Sequence, residues 1–200
     1  MQCRFALVLC AAAGLADATD LRVSVFDGSN LPVAEAAVYA TPAVPIPHGA
    51  LPTAIIDQVN RKFVPRVSVV QAGTPIKFPN SDNIRHSVYS FSAPRIFTLK
   101  LYAGTPAIPV VFDQPGIVVL GCNIHDTMVA WILVVNTPYF ARTAADGTAT
   151  LSGLPPGNYV LRTWDNSMSQ EQAGEPLRVG TEALAPRRLQ VDAPAVEAMH

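Results

Sequence analysis

Short runs of alternating apolar and polar residues fill the chain, and clusters of turn residues separate one run from the next. Leu21-Arg22-Val23-Ser24-Val25-Phe26 has the period of two expected of a half-buried strand, and Asp27-Gly28-Ser29-Asn30 then turns the chain. A second strand is predicted from Ala34 to Thr41, ended by Pro42, with a Pro-rich connector running on to Pro52. Further strand patterns span Phe63 to Gln71, Pro75 to Pro79, His86 to Ser92, Ile96 to Tyr102 and Val110 to Asp113. Gly116 to Gly121 and Val129 to Val135 are apolar at successive positions, which suits strands covered on both faces. Later, Ala145-Asp146-Gly147 is a hairpin turn signal followed by a short strand from Thr148 to Leu151. Leu154-Pro155-Pro156-Gly157-Asn158 fits a type II turn with a positive φ at Gly157. Tyr159 to Trp164 is another strand, and Leu177 to Val191 a looser pattern before a frayed end.

No long amphipathic helix is predicted, and the 18 Pro and 12 Gly spread through the apolar runs point to an all-β chain. A formal net charge of −1 gives no electrostatic basis for binding nucleic acid or an anionic membrane. The one basic cluster, Arg61, Lys62 and Arg66, lies on a Pro-interrupted segment and reads as a solvated strand edge.

Residues 1–18 read as a cleaved secretory signal, with Arg4 as the positive start, Phe5 to Leu15 apolar, and Ala16-Asp17-Ala18 at the cleavage site. That stretch is too short to insert stably across a bilayer, so the expected location is the periplasm. Cleavage removes Cys3 and Cys10 and leaves Cys122 as the single cysteine in an oxidising compartment. Such a thiol is a liability unless something occupies it.

A metal could. Cys122-Asn123-Ile124-His125-Asp126-Thr127-Met128 sets a thiol, an imidazole and a thioether within seven residues, and His86 supplies a second imidazole from a separate strand. Two His, one Cys and a weak axial Met form the ligand set of a blue-copper electron-transfer site. Taken singly, His86 reads as an ordinary strand histidine, Met128 as core filler and Cys122 as a small buried hydrophobe. Zinc competes for His and Cys, although Met is a poor zinc ligand. A Cys122–His125 nucleophile pair would need an orienting group and an oxyanion site, and the sequence offers neither. No enzyme is therefore expected. His48, His200, Trp131 and Trp164 are assigned no chemistry, the tryptophans serving as core.

The segment resembles the cupredoxin family, which includes plastocyanin, pseudoazurin, azurin and amicyanin. Asn80-x5-His86 is similar to the upstream copper histidine and its preceding loop asparagine, and Cys122-x2-His125-x2-Met128 to the short amicyanin ligand loop. The resemblance covers residues 54–136 and implies one type 1 copper held by His86, Cys122, His125 and Met128, with Asn80, Ser87 and Asp126 around them. Ser87 stands where many relatives have Asn, implying a weaker brace between ligand loops, and Asp126 where amicyanin-like loops favour Pro. More narrowly, the chain resembles short exported cupredoxin-type proteins labelled as methylamine utilization proteins, which implies electron transfer near amine oxidation.

The flanks resemble a carboxypeptidase regulatory-like (transthyretin-like) sandwich, early half at Val25 to Val38 and late half at Ala145 to Tyr159. The expected fold is thus a cupredoxin Greek-key β-sandwich over 51–136, inserted in a small transthyretin-like β-sandwich made of 19–50 and 137–192. The expected function is an exported carrier of single electrons between a redox donor and a redox acceptor, with His125 as the electron port among Ile84, Ile124 and Thr127. The alternative is a periplasmic copper carrier or sensor that delivers the metal.

Overall fold

The computed structural model describes residues 18–47 and 49–191. The signal sequence, save Ala18, lies outside the described residues, as do His48 and His200. Every regular element among the described residues is a strand. The early flank holds β1 (Thr19–Phe26) and β2 (Ala37–Pro42). The middle of the chain holds β3 (Ala54–Ile55), β4 (Asp57–Val59), β5 (Lys62–Val64), β6 (Val67–Gln71), β7 (Thr74–Lys77), β8 (His86–Ser90), β9 (Phe97–Tyr102), β10 (Val110–Phe112), β11 (Gly116–Leu120) and β12 (Ala130–Val135). The late flank holds β13 (Phe140–Arg142), β14 (Thr148–Leu154), β15 (Gly157–Trp164), β16 (Glu175–Val179) and β17 (Arg187–Gln190).

Early and late strands pair with each other. β1 lies between β14, antiparallel, and β17, parallel, with Val23 opposite Ala149 on one side and Arg187 on the other. β2 lies between β13 and β15, and β16 completes that second sheet. The alternation of β1 aims Leu21, Val23 and Val25 into a core shared with Ala37, Val38, Leu161, Trp164 and Leu177. Trp164 is fully buried and its indole N–H donates to the Met168 carbonyl at 3.2 Å, so its polar edge is satisfied inside that core.

A second core lies within the middle segment, built from Ile56, Phe63, Ile76, Phe78, Val88, Phe112, Val118, Leu120 and their neighbours. The sheet β11-β12-β6 separates the two cores. In β12, Ala130, Ile132 and Val134 belong to the middle core, whereas Leu133 and Val135 belong to the flanking one. Successive apolar residues are required there because both faces of the strand are covered. Arg142 fastens the seam, donating from its guanidinium to the Val67 carbonyl at 2.7 Å.

Three local expectations change. The predicted strand from Phe63 to Gln71 breaks at Pro65-Arg66 into β5, which forms a hairpin with β4, and β6, which runs parallel to β12. Proline lacks the N–H that an uninterrupted ladder needs. The strand from Ala34 starts only at Ala37, because Glu35 turns the chain with a φ of 61°. The type II turn at Gly157 is absent: Gly157 opens β15, and the positive φ, 72°, falls at Gly153 inside β14.

Candidate metal centre

His86 is the first residue of β8 and pairs with Tyr102 of β9. Cys122 follows the end of β11, where Gly121 and Tyr89 exchange both backbone hydrogen bonds at 3.0 Å. That exchange brings the start of the 122–128 loop beside β8. A Cβ on Gly121 would lie 2.6 Å from the Tyr89 ring, so any side chain there would force that ring to move. The loop then turns back, the Met128 N–H donating to the His125 carbonyl at 2.9 Å, and β12 begins two residues later.

This folding gathers one donor atom each from His86, Cys122 and His125 within 4.8 Å of one another. Nδ1 of His86 lies 3.8 Å from Sγ of Cys122, and the two imidazole centroids are 5.1 Å apart. Nitrogen and sulfur bound to one ion at about 2.0 and 2.3 Å, about 120° apart, lie about 3.7 Å from each other. Nδ1 of His125 is buried without a hydrogen-bond partner among the described residues, a position that otherwise leaves a polar atom desolvated for nothing. Spacing, orphaned nitrogen and soft donor set all fit a transition-metal ion. Met128, also buried, sits in the same apolar cluster as Cys122.

The surroundings favour a thiolate. Burial raises the Cys122 thiol, but hydrogen bonds from the Ile124 and Ser87 backbone N–H groups, and from the His86 and Ser87 side chains, outweigh it and hold the group below its ordinary value. His86 is fully buried, whereas His125 is half-buried beside Ile124, which is 47% exposed, so solvent reaches the His125 side of the group.

Ser87 provides the brace whose weakening its substitution implied. Its Oγ accepts the Asn123 N–H at 2.9 Å and stands 3.8 Å from the Cys122 sulfur. Asn80 ties the upstream loop to itself and to the end of β9: its Nδ2 donates to the Ile84 and Tyr102 carbonyls at 2.9 and 2.8 Å, and its Oδ1 accepts the Asp82 N–H at 3.1 Å. Asp126 is exposed.

Sequence reasoning missed Asp82. Its Oδ2 takes the Nε2 side of His86 at 2.7 Å, leaving Nδ1 to face the sulfur. The same carboxylate accepts the Asn60 and Arg61 N–H groups at 2.6 and 2.8 Å. Burial raises this carboxyl, but the bonds from the Arg61 N–H, His86 and the Asn60 N–H prevail and lower it. Its position four residues before His86 was the only signal in the sequence, and the hairpin contact appears only in three dimensions.

No family model matches the chain, and no curated protein matches it. Among solved structures, a reduced amicyanin variant aligns over 48% of this chain and 99% of its own, at 18% identity and a TM-score of 0.37. A purple cupredoxin from Nitrosopumilus maritimus aligns over 41% of this chain and 99% of its own, at 19% identity and a TM-score of 0.37. A copper-containing nitrite reductase from Thermus scotoductus SA-01 aligns over 56% of this chain but only 28% of its own, at 23% identity and a TM-score of 0.39. These likenesses are slight, and the geometry of the site is the stronger guide to function. No helix among the described residues is long and apolar enough to cross a membrane.

Proposed function

We propose that the protein is a type 1 copper carrier of single electrons, in which His86, Cys122 and His125 would hold the ion strongly and Met128 would be a weak fourth ligand. The observation that carries this reading is the convergence of two imidazoles and a lowered-pKa thiol within 4.8 Å, one imidazole nitrogen being buried and unpartnered. A bound copper ion supplies reversible one-electron exchange at these donors. The chain's own part is to hold the donors still. Ser87 ties the two loops, Asp82 fixes the ring of His86, and Tyr89 seated on Gly121 fixes the approach to Cys122. Burial of His86 and Cys122 supports retention of the metal over its delivery to another protein.

The same reading puts the protein in the periplasm with redox proteins as donor and acceptor, near amine oxidation by the narrower resemblance, and outside the enzymes. The flanking strands are read as a carboxypeptidase regulatory-like sandwich carrying the copper unit, a division supported by the pairing of β1 with β14. The deciding experiment is a visible spectrum with copper titration and transfer to an apo-acceptor. One intense thiolate-to-Cu(II) band at one copper per chain, with no metal lost to the acceptor, is the expected result. A colourless Cu(II) complex overturns the type 1 assignment.

A further inference from the structure

The basic cluster that reads in sequence as a solvated edge is held against the candidate metal loop. Asn60 and Arg61 form the tip of the β4–β5 hairpin, with φ values of 52° and 58°, and both donate their N–H groups to the Asp82 carboxylate that holds His86. The hairpin is therefore latched to the ligand shell. β5 alternates, turning Phe63 into the core and Lys62 and Val64 outward. Lys62 and Arg66 line a cleft of about 290 Å³ together with Thr127 of the ligand loop and Val129 just after it. Arg66 is also held, its guanidinium 4.9 Å over the Trp131 ring.

These cations are unpaired. The ion pairs among the described residues are Asp82 with His86 and Arg142 with Glu35, so Arg61, Lys62 and Arg66 have no carboxylate partner. Asp82 spends its oxygens on backbone N–H groups and on His86, and Asp126 is the one exposed carboxylate on the loop itself. Charge is divided along the chain in the same sense. Residues 51–136 carry seven Lys and Arg against four Asp and Glu, whereas the rest carries seven against eleven.

We propose that this face, where Lys62 and Arg66 share a cleft with Thr127 and Arg61 is tied to Asp82, docks an acidic redox protein beside the loop that carries His125. The inference rests on the electron-carrier reading and adds the chemistry of the partner. A small basic patch orients an acidic protein and raises its rate of encounter. One electron passes between the two docked proteins, and no bond forms or breaks. An anionic membrane or nucleic acid is disfavoured because the cations are few.

The test uses copper-loaded, reduced full-length protein in stopped flow, with hexacyanoferrate(III) as an anionic probe and tris(phenanthroline)cobalt(III) as a cationic one, then an acidic and a basic c-type cytochrome. The expected result is that rates with the two acidic or anionic oxidants fall severalfold as ionic strength rises from about 20 to about 300 mM. The net charge of −1 alone predicts no such fall. Lys62→Glu with Arg66→Glu should slow those rates by about tenfold at low salt, while Arg178→Glu with Arg187→Glu on the flanking sheets should not. Because Arg66 covers Trp131, Lys62→Glu alone is the second variant, expected to show the same direction with unchanged melting. A visible copper band with rates indifferent to salt and to these substitutions overturns the inference and leaves the carrier reading intact. Absence of the band overturns the carrier reading itself. Binding to phosphatidylserine vesicles that Lys62→Glu abolishes, with no effect on the cytochromes, also overturns the proposed partner.

Discussion

Asp82 and His86, four residues apart, meet at 2.7 Å between Oδ2 and Nε2 while the opposite ring nitrogen faces the Cys122 sulfur at 3.8 Å. One carboxylate thereby sets the orientation of a buried imidazole and anchors a neighbouring hairpin. Asp82→Ala should release both, lowering copper affinity by about 10- to 100-fold, as losing the partner of a ligating histidine commonly does. Competition with a chelator of known affinity measures this. Wild-type affinity in the variant would remove Asp82 from the description of the site.

The same group predicts a pH dependence of stability. The Asp82 carboxyl titrates below its ordinary value in the folded chain, so its stabilisation is fully present above its unfolded pKa of about 4. That stabilisation disappears as pH falls through the lower folded value. Wild-type melting temperature should drop on the acid side of about pH 4, and Asp82→Asn should melt lower at pH 7 with a shallower acid limb. Identical limbs in the two proteins would show that other carboxylates dominate.

Cys122→Ser should abolish the visible thiolate-to-Cu(II) band, because a hydroxyl cannot replace the thiolate donor. Cys122 is 3% exposed and closely packed, so circular dichroism melts are needed beside the spectra to show that the variant is folded. A folded Cys122→Ser protein that keeps the colour would exclude the thiolate as its source.

Met128 is 1% exposed and shares a cluster with Cys122, so it has a core role whatever else it does. Replacing its soft thioether by the harder amide oxygen of Met128→Gln should keep copper and colour while lowering the reduction potential. Voltammetry separates this from packing. An unchanged potential with a large fall in melting temperature would make Met128 core alone.

Gly121→Ala places a methyl group where the Tyr89 ring stands, at 2.6 Å from its nearest atom. Such overpacking should destabilise by roughly 1–3 kcal/mol and shift the visible band, since the next residue is Cys122. Tyr89→Ala in the same chain should restore part of the lost stability. If the pair of substitutions is simply additive, the contact has no special weight.

Much of the fold and site was legible in sequence where chemistry or pattern was local. The run at Val129 was readable because continuous apolarity has few explanations besides a strand covered twice, and β12 faces two cores; the run at Gly116 also forms a strand, but Val119 leaves one face of β11 open to solvent at 41% exposure. His86, Cys122 and His125 announced themselves by residue type and spacing, and the structure brings them together. The break at Pro65 was missed because the apolar pattern on either side continues across it. The work of Asp82 and Tyr89 was hidden for a different reason. Each acts through backbone groups of a distant segment, which carry no residue-specific mark in the sequence.

The pairing of β1 with β14 and β17 has a consequence for the order of assembly. The Gly153 N–H reaches the Asp20 side chain across 133 residues, so the flanking sheet cannot close until nearly the whole chain is available. Contacts within the middle segment span far less sequence; β11 and β12 are joined by the ligand loop itself. Shorter loops close sooner. A chain emerging from its N-terminus would therefore finish the cradle around Cys122 while β1 still waited for its neighbours, with its unpaired edges exposed until β14 and β17 arrived.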